Sequence, residues 1–257
     1  MHGKNNIKTI CIAGKNKCAI DALSFVLKKY KKYTILSLPN SSDDGIDRWQ
    51  KSFKKFSKSK NVKITSLNKL HKIKELFLFS LEYEKIIEVK KFKSKNLFNF
   101  HFSLLPKYRG CHTNFYQIYY GEKNSGVTLH KIDDGIDTGN IIDKIFFKIS
   151  TNTTSFYNYN KLLINSVKLF KKNIKNILNN NFKSKKQNKN KGSYFSRKSL
   201  DYKKIVNIKT LNHNLKTHNL IRSLIFPPFQ LPIYNGKKIV KSIYKNNKIK
   251  IIYQNDL

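Results

Sequence analysis

Three polar side chains stand at a spacing that suits proton transfer beside a carbonyl carbon. Asn99 and His101 are two residues apart in an apolar run, and Asp137 follows in a glycine-containing turn. Alternate residues of a strand point to the same face, so Asn99 and His101 can share one pocket. A histidine can shuttle protons near neutral pH, an amide N–H can stabilise an oxyanion, and a carboxylate can orient the imidazole. Together these groups suit the attack of an amine on a carbonyl carbon, as in acyl or formyl transfer.

The elements around these residues alternate between strand and helix patterns. Short apolar runs predict strands at residues 7–13, 33–38, 62–67, 76–81 and 97–102. Apolar residues at helical spacing predict helices at residues 17–30 and 49–56. This alternation predicts an α/β fold with a Rossmann-like, mostly parallel sheet and helices on both of its faces. Ligands bind beyond the carboxyl ends of such strands, where Asn99 and His101 are expected to lie.

The rest of the chain continues this pattern and then changes to a smaller module. We expect a helix at 110–120, strands at 126–132 and 141–149, and a long helix at 154–178. A helix at 215–224 follows, then a hairpin at 233–240 with an Asn235-Gly236 turn, and a strand at 248–253. We therefore predict a catalytic domain at 1–180, a basic linker at 181–192 and a small α+β module with a β-hairpin at 193–257.

The composition is strongly basic, with a formal net charge of +37. Only four of the 52 basic residues are Arg, whereas proteins that read nucleic acids favour Arg for bidentate contacts. AT-rich codons explain the abundance of Lys, Asn and Ile without a function. We therefore expect no nucleic-acid partner, although a basic surface attracts anionic ligands such as folates and nucleotide diphosphates.

Cysteine usage and hydropathy indicate the compartment. Cys11, Cys18 and Cys111 are isolated in sequence and form no disulfide or zinc framework, which predicts a cytoplasmic protein. The apolar run at 7–13 is too short for a secretion signal, and no stretch approaches the roughly 20 apolar residues of a membrane span.

Metal-binding patterns are weak. The aspartates at 133, 134 and 137 lack the spacing of an EF-hand, and the histidines at 101, 112 and 130 include no close pair of zinc ligands. The sequence also lacks the glycine pattern of a dinucleotide-binding turn and that of a P-loop. We predict no metal.

A longer motif carries a family resemblance. Residues 99–110 read Asn-x-His-x-Ser-Leu-Leu-Pro-x-Tyr-Arg-Gly, followed by Gly126-Val127-Thr128 and by Asp-Gly-Ile-Asp-Thr-Gly at 134–139. This pattern resembles the N10-formyltetrahydrofolate-dependent formyltransferases. The resemblance implies that Asn99, His101 and Asp137 are the catalytic residues and that N10-formyltetrahydrofolate is the formyl donor. It also implies that the folate is held largely by backbone at Phe79, Ser80, Leu81, Glu82, Asp133, Asp134, Gly135 and Ile136.

Within that family the chain is most similar to the sugar N-formyltransferases, through short segments at 12–16, 47–52, 78–83, 195–201 and 221–229. Glycinamide ribonucleotide formyltransferases end soon after the long helix, and methionyl-tRNA formyltransferases have a longer C-terminal barrel. The resemblance implies a dTDP-linked acceptor, dTDP-4-amino-4,6-dideoxyglucose, used for O-antigen or another surface polysaccharide. A 3-amino acceptor and a GDP carrier stay open, as do methionyl-tRNA formyltransferase and a non-catalytic basic binding protein.

The resemblance also suggests which residues contact the acceptor. The expected contacts are Lys15, Asn16, Trp49, Gln50, Tyr108, Arg109, Thr113, Phe226, Phe229 and Tyr234. Core packing is an equally good interpretation for Trp49, Phe226 and Phe229. The predicted hairpin is a candidate dimer interface, since sugar formyltransferases of this kind are often homodimers.

Overall fold

A computed structural model of the chain describes residues 7–256, with only the backbone of Lys189. Its contacts divide the chain into two compact units. The first contains the described residues up to His101, together with Val127–Ile145 and Leu163–Lys189. The second contains Phe102–Gly126, Phe146–Leu162 and the described residues from Asn190 onward. Segments of the two units therefore alternate along the chain. The predicted division into continuous domains, with boundaries near 180 and 193, remains a prediction.

The strands and helices follow the predicted alternation. The strands are β1 (Thr9–Gly14), β2 (Thr34–Pro39), β3 (Lys63–Ile64), β4 (Leu76–Leu81), β5 (Asn96–His101), β6 (Arg109–Gly110), β7 (Asn124–Lys131), β8 (Ile141–Lys148), β9 (Tyr194–Phe195), β10 (Ile233–Tyr234), β11 (Lys237–Lys245) and β12 (Lys248–Tyr253). The helices are α1 (Asn16–Lys29), α2 (Phe53–Ser59), α3 (Leu67–His71), α4 (Thr113–Tyr119), α5 (Ser155–Leu178), α6 (Tyr202–Ile205) and α7 (Leu215–Leu224).

The large sheet has seven strands in the order β3-β2-β1-β4-β5-β7-β8. The pairs from β3 through β5 are parallel, and β7 runs antiparallel to β5. Every residue of β1 and β4 is buried, as expected of central parallel strands that are covered on both sides. The Phe79 and Phe98 rings stack with centroids 5.4 Å apart, and Phe170 of α5 meets Phe79 edge-on at 5.2 Å. The predicted mostly parallel α/β sheet with helices is confirmed.

Several predicted elements differ in extent; for example, the helix expected at 110–120 begins only at Thr113, because Arg109–Gly110 form a short strand. The expected strand at 62–67 is reduced to Lys63–Ile64, because Ser66 occupies the N-cap position of α3 and Leu67 is already helical. The expected helix at 49–56 begins only at Phe53, because the Ser52 side chain accepts a hydrogen bond from the Lys55 N–H and caps α2. Trp49 therefore lies in the loop before the helix.

The second unit contains a small antiparallel sheet in the order β10-β11-β12. Asn235 (φ 47°) and Gly236 (φ 75°) join β10 to β11, the conformation that favours Asn-Gly in a two-residue hairpin turn. Asn246 and Asn247, both with positive φ, join β11 to β12 in the same way. The predicted C-terminal hairpin is confirmed. No helix among residues 7–256 combines the length and the apolar character that crossing a membrane requires.

Candidate active site

In the first unit the side chain of Asp137 contacts those of Asn99 and His101. Asn99 and His101 are alternate residues at the carboxyl end of β5, and Asp137 lies in the loop between β7 and β8. The Asn99 Nδ2 donates to Asp137 Oδ1 at 3.1 Å, and the His101 Nδ1 lies 3.4 Å from Asp137 Oδ2. His101 is 7% exposed. The carboxylate thus sits between an amide and an imidazole in a mostly buried position.

The loop that carries Asp137 has a tightly specified backbone. Asp137 has φ 55°, a left-handed conformation that L-residues adopt at a cost and that Asp tolerates better than most. A Cβ on Gly139 would lie 1.8 Å from the Lys131 carbonyl oxygen, so only glycine fits there. Asp133 Oδ1 accepts from the Thr138 hydroxyl at 2.7 Å. The chain around Asp137 is therefore shaped by its own turn residues.

His130 is a fourth member of this cluster. The antiparallel register of β5 and β7 places His130 opposite Asn99. Its Nε2 lies 3.2 Å from Asn99 Nδ2 and 3.4 Å from Asp137 Oδ1, and its Nδ1 lies 2.7 Å from the Lys131 carbonyl. Because a carbonyl only accepts, Nδ1 carries the proton of the neutral ring and Nε2 accepts from the Asn99 amide.

In the sequence, His130 suggests only a weak candidate for a zinc ligand. The signal that identifies it is the strand register, which places it beside Asn99, and local sequence patterns do not specify register across an antiparallel pair. Among residues 7–256 no group of three His, Cys, Asp or Glu side chains is arranged to hold a metal ion.

The expected folate-binding segments lie next to this cluster. Ser80 of β4 pairs with Asn99 of β5. Phe79 and Leu81 are fully buried and Ser80 is 5% exposed, so β4 offers a ligand little besides backbone. Glu82, the next residue, has φ 60°. The loop residues Asp133, Asp134, Gly135 and Ile136 are exposed. This arrangement fits recognition through the main chain at both segments.

The expected acceptor contacts in the first unit divide into exposed and buried residues. Trp49 is 41% exposed, whereas Asn16 is 2% exposed. The Asn16 Nδ2 donates to Glu82 Oε2 at 2.5 Å, and its Oδ1 accepts from the Cys18 N–H at 3.0 Å. Asn16 therefore ties the start of α1 to the end of β4. Lys15 and Gln50 are half-buried.

In the second unit, Tyr108 and Thr113 are both 7% exposed. The Tyr108 hydroxyl donates to Glu122 Oε1 at 2.8 Å, and burial together with this carboxylate raises the pKa of Tyr108. Arg109 is half-buried, and its Nε has no hydrogen-bond partner among the described residues. Tyr108 thus has a structural role that the sequence did not indicate.

The aromatic residues after α7 also differ in exposure. Phe226 is 7% exposed and packs edge-on against Phe156 at 5.2 Å. Phe229 is 68% exposed, and its ring stacks on Phe226 with centroids 5.3 Å apart. Tyr234 is half-buried in β10. Of the two residues that could be core or ligand wall, Phe226 is buried and Phe229 is largely exposed.

Comparisons with known proteins agree with this fold and site. Residues 12–174 match the profile of the formyl transferase family. WlaRD, a sugar 3N-formyl transferase solved in the presence of dTDP and 5-N-formyl-THF, is 42% identical with a TM-score of 0.91, over 98% of this chain and 100% of that one. The N-formyltransferase of Helicobacter canadensis, solved with folinic acid and dTDP-3-aminofucose, is 42% identical with a TM-score of 0.87, over 93% of this chain and 88% of that one.

Curated relatives include proteins with other acceptors. The methionyl-tRNA formyltransferase of Clostridium tetani (strain Massachusetts / E88) is 30% identical over 88% of this chain and 76% of that protein. Across these curated relatives, the matched region spans 26% to 80% of their length. With the family profile matching more than half of its length, the chain belongs to the formyl transferase family.

Proposed function

We propose that this protein transfers a formyl group from N10-formyltetrahydrofolate to the amino group of a dTDP-linked amino-dideoxysugar. The observation that carries the proposal is the contact of the Asp137 carboxylate with both Asn99 and His101 at the end of β5. Two solved relatives at 42% identity were each determined with a folate and a dTDP ligand, which supports this pair of substrates.

The proposed reaction begins with the neutral sugar amine attacking the formyl carbon, so that a C–N bond forms and the carbonyl oxygen becomes an oxyanion. His101 takes or relays the proton of the amine, and Asp137 orients its ring. Collapse of the intermediate breaks the bond to the folate nitrogen, which takes up a proton as it leaves.

Asn99 is the proposed oxyanion donor. In the structure its amide N–H groups face Asp137 Oδ1 and His130 Nε2. Oxyanion stabilisation therefore requires one of these N–H groups to turn from its present acceptor to the substrate.

We further propose that the acceptor amine is at C3 of the sugar. The family resemblance in the sequence implies the 4-amino isomer, but both solved relatives at 42% identity concern 3-amino sugars. In the second unit, the exposed ring of Phe229, backed by Phe226, offers a flat apolar surface for thymine. Phe229→Ala should raise the KM for the nucleotide sugar about tenfold, the scale of one base–aromatic stack, and leave kcat unchanged. Phe146→Ala, which removes another exposed ring, is the control.

A panel of acceptors tests the assignment. N10-formyltetrahydrofolate is offered with dTDP-3-amino-3,6-dideoxyhexose, dTDP-4-amino-4,6-dideoxyglucose, GDP-perosamine and methionyl-tRNA. Turnover on the 3-amino sugar supports the proposal, and turnover on the 4-amino sugar alone moves the acceptor nitrogen to C4. Turnover on tRNA alone, with binding that weakens steeply with salt, replaces the proposal by methionyl-tRNA formylation, which the Clostridium tetani relative makes the second candidate. Folate binding without turnover on any acceptor favours a binding protein.

Other properties remain predictions. The three cysteines are free, which suits the predicted cytoplasmic location. A homodimer formed through the C-terminal hairpin and a role in surface polysaccharide synthesis rest on the family resemblance. Light scattering of the purified chain tests the dimer, and a monomer mass would remove it.

A further inference from the structure

The segment that the sequence predicted to be a basic linker contains one buried residue with specific contacts. Gln187 is 8% exposed among exposed neighbours. Its side-chain Nε2 donates to the carbonyl oxygen of Asp137 at 2.9 Å and to that of Gly139 at 2.8 Å. Two carbonyl acceptors require an N–H donor, so the orientation of the amide is fixed by its partners.

The same segment is anchored to the sheet two residues earlier. The Ile141 N–H donates to the Lys185 carbonyl at 2.8 Å, and the Lys185 N–H donates to the Ile141 carbonyl at 2.7 Å. This antiparallel bridge attaches the segment to the first residue of β8. Gln187 therefore reaches the Asp137 loop from a backbone that is itself held in place.

The oxygen of the Gln187 amide indicates that this residue is an amide because of the two hydrogen bonds that it donates. Gln187 Oε1 is buried and has no hydrogen-bond partner within residues 7–256. Burying an unpaired carbonyl oxygen is unfavourable, and an apolar side chain of similar size would fill the space without that cost. The N–H groups therefore explain why an amide occupies this position. They donate to two carbonyls of the loop that contains Asp137, whose backbone is left-handed.

We propose that Gln187 is a positioning residue that fixes the backbone at Asp137 and so holds its carboxylate against Asn99 and His101. Gln187 touches neither Asn99 nor His101 in any hydrogen bond of the described structure; it acts through the loop. The expected effect on turnover rests on the proposed function, whereas the expected effect on the loop does not.

The test compares Gln187→Leu, which keeps the bulk and removes both donors, with Gln187→Glu, which places acceptors beside the two carbonyls. Lys186→Leu introduces the same apolar side chain at the exposed neighbouring position and is the control. Two quantities are measured: kcat and KM for formyl transfer, and deuterium uptake of the peptide that contains residues 133–140 in the unliganded protein.

We expect both Gln187 variants to lower kcat about 100-fold, the scale of a misplacement near 1 Å, with both KM values within about twofold of wild type. Uptake should rise at 133–140 and stay unchanged in β1 and β4. Wild-type uptake at 133–140, or unchanged kcat in a folded variant, would overturn the proposal. If wild type transfers formyl to no nucleotide sugar, the proposed function fails while the exchange measurement still decides the role of Gln187.

Discussion

Each compact unit buries a polar network containing histidine, and the two networks differ in what the histidine faces. In the first unit, His101 and His130 both contact the carboxylate of Asp137. In the second unit, His218 contacts the Ser242 hydroxyl at 2.7 Å and the Thr151 carbonyl at 2.8 Å. A carboxylate can share or stabilise a proton on the ring, whereas a backbone carbonyl can only accept a hydrogen bond.

The neighbouring Arg222, like His218, is buried and contacts backbone carbonyls. It is 2% exposed and donates to the carbonyls of Thr153 and Ile118 and to Asn219 Oδ1. Burial lowers the pKa of Arg222 to about 10. The residue type alone thus does not mark a site, since the second network holds segments of the chain together while the first contains the partners that proton transfer needs.

We expect the largest effect from replacing His101, the proposed general base of the first network. His101→Asn should lower kcat by about 10²- to 10⁴-fold, the usual contribution of a positioned general base, with little change in KM. His218→Gln is the matched control because it changes an equally buried histidine in the other network, and its kcat should stay within about twofold of wild type. Steady-state kinetics on the best acceptor decides, and equal losses in the two variants would contradict the distinction.

The second prediction concerns a substitution that displaces the Asp137 loop and leaves the polar groups of that loop unchanged. Gly139→Ala places a Cβ 1.8 Å from the Lys131 carbonyl, so the loop must shift and kcat should fall about 100-fold. Gly236→Ala has nothing within 4 Å of its Cβ but keeps φ 75° in the hairpin. It should cost about 1–2 kcal/mol of unfolding free energy and leave kcat unchanged. Kinetics and urea denaturation of the two variants separate these effects, and normal turnover in Gly139→Ala would show that the loop tolerates displacement.

The third prediction removes the residue that the sequence did not indicate. His130→Leu deprives the Asn99 amide of an acceptor, and kcat should fall about tenfold, the equivalent of one hydrogen bond. His130→Gln keeps an acceptor oxygen and should recover most of the loss. If Leu and Gln variants have the same kcat, the contact between His130 and Asn99 does not orient the amide.

The smallest expected effect concerns the second network. Burial lowers the pKa of His218 below its ordinary 6.5. The unfolded chain then takes up the proton first as pH falls, so this contribution to stability is present above about pH 6.5 and is lost as pH falls through that value toward the lower folded pKa. Urea denaturation between about pH 7 and pH 5 should give a shallower decline in the free energy of unfolding for His218→Gln than for wild type. The exposed His213 provides the control variant, His213→Gln, and equal slopes for His218→Gln and wild type would refute the assignment.

Local patterns predicted the elements whose sequence signals are complete. A buried apolar run predicted the exact bounds of β4, and a helical pattern predicted those of α7. The pair Asn235-Gly236 identified the hairpin turn. Asn99, His101 and Asp137, which the motif groups together, also lie together in the structure, and their catalytic roles stay a prediction.

The missed features depend on pairing between distant segments. His130 joins the cluster through the register of β5 and β7. Gln187 lies in a Lys- and Asn-rich run that resembles a linker, and its contacts come from the bridge to β8. Asn16 and Tyr108 adopt positive φ and point inward, which composition and spacing do not encode.

The most direct test of the account is single-turnover formyl transfer from N10-formyltetrahydrofolate to dTDP-3-amino-3,6-dideoxyhexose by wild type and by Asp137→Asn. The Asn side chain keeps the size of Asp137 and removes the charge between the two histidines. We expect an N-formyl sugar from wild type and a rate at least about 100-fold lower in the variant, with both substrates still bound. Equal rates in the two proteins would contradict the role assigned to this cluster.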